Sequence, residues 1–276
     1  MFKKQILILT CCIPFFTACI SEEAAQAELN EFVSKTMANM IDIKGGAFKR
    51  MTAEDYMNRE YSKPKLYETV ITDFAIGKYE VTCAEFAFFL KSSGHKAPQF
   101  KKEANCIIDR TPAHYVSWYD AKAYCEWLGT VSNKSISLPT EAQWEYVARN
   151  LGQKGVLFAT NNGKREPGKN TDGYETSHGS FTPTVVDKYP PTPLGVYALE
   201  GGVSEWVLDS WTRNYDKLAI QNPVNLVDDE DNTKTNRGHS FRSSGGNKVF
   251  PTTIRRDPES ADSEIPDIGF RCAINK

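Results

Sequence analysis

Cysteine and histidine are the residues here best suited to redox or metal chemistry. The 276-residue chain carries seven Cys and four His. Cys11 and Cys12 lie in an apolar N-terminal run, and Cys19 closes the stretch Phe16-Thr17-Ala18-Cys19. Cys83, Cys106, Cys125 and Cys272 remain, and no two of them form a Cys-x-x-Cys pair. His95, His114, His178 and His239 stand apart from one another and from these cysteines. Spacing therefore gives no zinc site, and each His reads as a surface or hydrogen-bonded residue. An even number of cysteines in an exported chain favours disulfides. The acidic run Asp228-Asp229-Glu230-Asp231 lacks the ligand spacing of an EF-hand and reads as a solvated loop.

Export follows from the N-terminus. Lys3 and Lys4 supply a positive start, and Ile6 to Phe16 form an apolar run too short for an ordinary spanning helix. Ala18 before Cys19 suits lipoprotein processing, although such boxes usually have Leu where Phe16 stands. Residues 1–18 then read as a lipoprotein signal peptide, 19–39 as a lipidated N-terminus with a tether helix, and 40–276 as the folded domain. Ile20-Ser21, without Asp in the second position, points to the outer membrane, with the domain facing the periplasm or the cell surface. At 276 residues and 40% hydrophobic, the chain suits one large domain or two small ones. A net charge of −2 gives no basic footprint for nucleic acid.

Periodicity places the elements. Glu22 to Met40 is expected to be helical, with Leu29, Phe32, Val33 and Met40 near one stripe. Met40 to Ile43 alternates like a strand and stops at Gly45-Gly46; Val70 to Val81 is a second strand region. Thr82-Cys83-Ala84-Glu85 is a capping box opening a helix with Phe86, Phe89 and Leu90 on one face. Ser117 caps a second helix, with stripe Ala121, Tyr124, Cys125 and Leu128. Thr140 to Gln143 opens a third, with stripe Trp144, Val147, Ala148 and Leu151. From 152 to 200 periodicity fades into Gly, Asn, Pro and Thr. A loop of that length is unusual without a ligand or metal.

Five segments, in order, resemble the formylglycine-generating enzyme (sulfatase-modifying factor) family. They are Lys78-Tyr79-Glu80-Val81-Thr82, continuing at Glu85-Phe86; Val116 to Leu128; Leu138-Pro139-Thr140-Glu141-Ala142-Gln143-Trp144-Glu145-Tyr146-Val147-Ala148-Arg149; Leu199 to Trp211, with Glu205-Trp206; and Asp267-Ile268-Gly269-Phe270-Arg271-Cys272-Ala273. The resemblance implies an α+β fold, a variant of the C-type-lectin type with little regular secondary structure. It also implies a Cys125–Cys272 disulfide. Cys83 and Cys106 are left as a second pair or as two buried thiols.

Enzymes of the family use two cysteines, five residues apart, after a Gly-Gly-Ser-aromatic segment; thiolates suit copper(I) and redox chemistry. The corresponding segment here is Arg237-Gly238-His239-Ser240-Phe241. In that register the two positions hold Ser243 and Lys248, and Phe241 to Pro266 contains no cysteine. The expectation is a member lacking the cysteine pair, not an enzyme, with copper not expected. The family's calcium turn corresponds to Glu205 with carbonyls of Glu200, Gly201 and Val203, and a second calcium position falls near Asn170 and His178. The family's peptide groove would be floored by Trp206, Phe241, Arg242, Ser243, Lys248, Phe250, Arg255 and Arg256, aromatic and Arg residues suited to recognition. The expected function is a membrane-anchored lipoprotein whose non-catalytic domain binds a protein, peptide or glycan, such as an immunity protein against a periplasm-targeted toxin. The alternative is a related oxidoreductase whose chemistry does not use that cysteine pair.

Overall fold

The computed structural model describes residues 14–57, 63–100, 106, 108–172, 183–242 and 252–276. It divides into two compact units, Met1–Ala38 and Asn39–Lys276. The first contains helix α1 (Pro14–Ala38), longer at its start than periodicity predicted. Among the described residues no helix is long and apolar enough to cross a membrane.

The second unit opens with strands β1 (Met40–Ile43) and β2 (Gly46–Arg50) and a short helix α2 (Ala53–Met57). The expected strand region Val70 to Val81 resolves into the end of β3 (Tyr67–Ile71) and β4 (Phe74–Gly77). All three predicted capped helices form: α3 (Cys83–Ser93), α4 (Trp118–Ser132) and α5 (Glu141–Ala148). Thr82 with Glu85, Ser117 with Asp120 and Thr140 with Gln143 each make the reciprocal capping box. Helix α5 stops before Leu151, which lies at φ 64° and is 37% exposed, so it leaves the predicted apolar stripe.

The remaining strands are β5 (Ile136–Ser137), β6 (Ser204–Ser210), β7 (Thr233–Arg237), β8 (Arg256–Ser260), β9 (Ile268–Phe270) and β10 (Ala273–Asn275). They build four-stranded sheets in the orders β1-β4-β10-β5 and β8-β7-β6-β9, beside a β2-β3 hairpin. β9 pairs parallel to β6, whereas β10 pairs antiparallel to β4 and β5. The chain therefore passes between the two large sheets through only Arg271 and Cys272. This crossing, with a parallel pair inside an otherwise antiparallel sheet, replaces the expected C-type-lectin variant. The α+β class and the short strands stand.

Arg271 ties the crossing together. Its Nε donates to Glu205 Oε2 and its Nη2 to Glu205 Oε1, both at 2.7 Å. Nη1 donates to the Gly77 carbonyl at 3.0 Å, and Nη2 also to Tyr197 at 2.9 Å. Arg271 is 0% and Glu205 1% exposed. The Cys125–Cys272 disulfide fixes the adjacent residue to α4. Gly269 is required beside it, because a Cβ there would lie 2.3 Å from the Ala113 carbonyl. Arg271→Met leaves Glu205 a buried carboxylate without its cation. We expect a loss of about 3–5 kcal/mol in urea unfolding; a loss below about 1 kcal/mol would show the pair to be dispensable.

Candidate functional site

Cys83, Cys106 and His114 converge although they share no local motif. The capping box sets Cys83 at the first position of α3, where its N–H donates to the Thr111 carbonyl at 2.8 Å. A β-bridge joins Thr82 to Pro112, and the Ala113 N–H donates to the Val81 carbonyl at 2.8 Å. These bonds bring His114 back beside the start of α3. Cys106 reaches the same point through the Cys83–Cys106 disulfide. The two sulfurs and a ring nitrogen of His114 all lie within 4.8 Å of one another. The three residues are 0%, 2% and 1% exposed, respectively.

His114 Nδ1 lies 2.9 Å from the Pro112 carbonyl. A carbonyl only accepts, so Nδ1 carries the proton and Nε2 keeps the lone pair. Burial pushes the His114 pKa down, against the Pro112 bond and Asp267, which raise it. The ring is thus held neutral, the form that ligates metals. Two sulfurs and an imidazole suit a soft ion such as copper(I). With the bridge closed the sulfurs are bonded to each other, so the donor set fits copper only in its dithiol form.

A buried acidic cluster lies elsewhere. Both Glu205 oxygens are occupied, by Arg271 and by Trp144 Nε1 at 3.0 Å. Glu80 Oε1 accepts from the Val203 N–H at 2.8 Å, and Oε2 has no partner. Burial, then Glu205, pushes the Glu80 pKa well up, against Arg271. Glu200 accepts from the Thr252 hydroxyl and lies 3.3 Å from Arg165 Nε. Asn170 Oδ1 accepts from the Glu166 N–H at 2.9 Å, and its Nδ2 donates to Lys164 at 3.0 Å. Of the residues expected to hold calcium, the Glu205, Glu200 and Asn170 side chains meet protein partners, and the Glu200 carbonyl accepts from Thr171 Oγ1 at 2.9 Å, with Gly201 and Val203 following in the chain. His178 lies outside the described residues.

Among the described residues of the expected groove floor, Trp206, Phe241 and Arg256 are interior. Trp206 is 0% exposed, with Nε1 donating to Val116 at 3.0 Å, and Phe241 is 2% exposed. Arg256 holds Glu141 through Nε at 2.6 Å and Nη2 at 2.8 Å. Arg255 pairs with Asp257 at 2.7 Å, and Arg242 is exposed. Ser243, Lys248 and Phe250 lie outside the described residues. His239 is buried with Nδ1 unpartnered; burial, then Arg165 and Arg255, lowers its pKa to about 3.

The sulfatase-modifying factor enzyme 1-like domain matches residues 25–276, and the chain belongs to that family. Mouse formylglycine-generating enzyme is 27% identical over 291 residues, covering 87% of this chain and 76% of that protein. The structure of PvdO from Pseudomonas aeruginosa superposes with a TM-score of 0.70 at 27% identity, covering 86% of this chain and 94% of that one. Treponema denticola variable protein 1 shares the fold, with a TM-score of 0.65 at 19% identity over 86% of this chain and 95% of that one.

These findings correct several expectations. The chain does not lack a cysteine pair: Cys83–Cys106 is intact and lies against His114. Ser243 and Lys248 still occupy the positions that the resemblance assigned to thiols. Cys83 and Cys106 lie on a different stretch of chain, and the Thr82–Pro112 bridge holds His114 beside them. A non-catalytic binding domain, and a site unsuited to copper, are therefore no longer the best reading. His114 had looked isolated because 31 residues separate it from Cys83 (114 − 83).

Burial raises the Glu200 pKa to about 7, against Thr252 and Arg165, which lower it. The folded state thus holds the Glu200 proton more tightly than the unfolded chain, whose value is about 4.3. Stability from this group is present below about 4.3 and is lost as pH rises towards about 7. Glu200→Gln removes that loss. Melting temperatures across this window should decline less in the variant than in the wild type; parallel profiles would overturn the assignment.

Proposed function

We propose that this chain is an oxidoreductase with Cys83, Cys106 and His114 as its redox and metal centre. The convergence of two sulfurs and one imidazole nitrogen within 4.8 Å carries the reading. The likeness to formylglycine-generating enzyme supports a peptide cysteine as the substrate class. A thiol reductant opens the bridge: two electrons and two protons pass to the sulfurs, and the reductant becomes a disulfide. Cys83, Cys106 and the neutral His114 would then hold copper(I), which would supply one-electron chemistry towards dioxygen. His114 needs to lose no proton before ligating, and the two thiols lose theirs as they bind. Burial of all three keeps bulk water from the sulfurs.

The test uses the chain from Ile20 onward, reduced and titrated with copper(I) against a chromophoric competitor. We expect binding near one equivalent in the reduced protein and none in the oxidised protein. His114→Ala, which leaves both cysteines in place, should weaken binding by about 10–100-fold. A peptide of Cys-x-Pro-x-Arg type should lose about 18 Da on conversion of its cysteine to formylglycine. Copper affinity unchanged in His114→Ala, or turnover that survives Cys83→Ser in a folded protein, would overturn the site.

The proposal extends to the envelope. Cys19 carries the lipid and tethers the domain to the outer membrane, supported by Lys3, Lys4, the apolar run to Phe16 and Ala18. Cells fed labelled palmitate should label the wild type and not Cys19→Ser; equal labelling would remove the anchor.

A further inference from the structure

Leu226 and Val227 are 64% and 76% exposed, and Ile220 nearby is 60% exposed. Consecutive large aliphatic residues in water are costly to display without a use. The loop is pinned on both sides of the pair. Asn225 Nδ2 donates to Ser210 at 2.9 Å, and the Ser210 N–H donates to the Asn225 carbonyl at 2.7 Å. Beyond the pair, Asp228 accepts from Ser210 Oγ at 2.7 Å and from Lys234. Asp229 Oδ1 accepts from the Thr233 N–H at 2.7 Å. Leu226 and Val227 are therefore presented on a pre-organised loop, which lowers the ordering cost of binding.

They border a groove of about 660 Å³, with Trp211, Leu218 and Val224 also on its wall. That size falls within the range of roughly 300–1,000 Å³ for ligand pockets. Asp228 and Asp229 are also on its wall, and Glu230 and Asp231 follow them directly in the chain, all four exposed. Lys217 and Lys234 offset part of this charge. The surface thus offers an apolar wall ending in net negative charge.

We infer that this groove docks a peptide segment in which Lys or Arg alternates with aliphatic residues. The aliphatic side chains cover Leu226 and Val227, and the cations meet Glu230 and Asp231. The same carboxylates repel anionic lipid headgroups, which favours a polypeptide over a bilayer. The surface lies apart from Cys83, Cys106 and His114, none of which lines the groove.

The test is fluorescence anisotropy with a labelled peptide of repeated Lys-Leu, beside matched Glu-Leu and Lys-Ser peptides. Lys-Leu should bind saturably and weaken with added salt, and neither control should match it. Leu226→Ser with Val227→Ser should cost roughly tenfold or more in affinity. Glu230→Gln with Asp231→Asn, which leaves the pinned Asp228 and Asp229 intact, should reduce affinity and flatten the salt dependence. Circular dichroism checks that both variants fold. Absent binding, or binding unchanged in the Leu226/Val227 variant, would overturn the inference. So would self-association, or capture by phosphatidylcholine vesicles in place of peptide, abolished by the same variant; these would assign the surface to a second copy or to lipid.

Discussion

The buried pair between Glu205 and Arg271 is the constraint on which the domain is organised. Removing two charges from water costs several kcal/mol per ion, and only close geometry with further hydrogen bonds offsets it. Here the geometry is bidentate at 2.7 Å, and the remaining donors of Arg271 reach carbonyls of Gly77 and Tyr197. Four of the five segments that carry the family resemblance meet at this point, Glu205 itself lying on one of them. The Leu138–Tyr146 segment sends Trp144 to Glu205, the Lys78–Thr82 segment sets Glu80 beside it, and the C-terminal segment supplies Arg271. Side chains far apart in sequence thus meet one carboxylate from different elements.

A second buried network follows the same logic. Glu141 and Glu145 on α5 meet Arg50, Arg237 and Arg256 from three strands, with Arg149 on Glu145. Burial alone would raise the Glu141 pKa, but Arg256, Arg50 and Arg237 bring it down to about 2. Arg50 also lies 3.8 Å above the Tyr215 ring, and Arg256 lies 4.3 Å from the Trp211 ring. Arg256, expected at the floor of a recognition groove, is therefore clamped to α5 beside Arg50 and Arg237. An Arg in sequence does not disclose whether it faces solvent or a glutamate.

Local signals were the legible part. Thr82, Ser117 and Thr140 cap helices because a hydroxyl three residues before an acid or amide satisfies backbone donors with no help from tertiary structure. The α+β class was legible through the family resemblance. The crossing of β9 and β10 between sheets was not, since strands of three residues carry no period. The Cys83, Cys106 and His114 site was illegible for a related reason. Its residues are joined by one β-bridge and one disulfide rather than by spacing along a helix. The stretch after α5, low in apolar residues, is held by polar turns: Asn170 bonds to Asn161, Asn162, Lys164 and Glu166, and Thr160 bonds to Lys164. Such turns leave no hydrophobic pattern to read.

The two disulfides differ in what opening them would do. Cys125–Cys272 spans 147 residues, so its chain-entropy contribution is about 5 kcal/mol, and it sits beside Arg271 at the crossing between sheets. Cys83–Cys106 spans 23 residues, about 3 kcal/mol in the same treatment. When the shorter bridge opens, Cys83 and His114 remain neighbours, because the Cys83–Thr111 and Ala113–Val81 backbone bonds and the Thr82–Pro112 bridge persist. Cys106 alone gains freedom, and a metal bound by all three would restore the closure that reduction removed. The fold thus assigns one bridge to architecture and leaves the other able to exchange a covalent bond for a ligand.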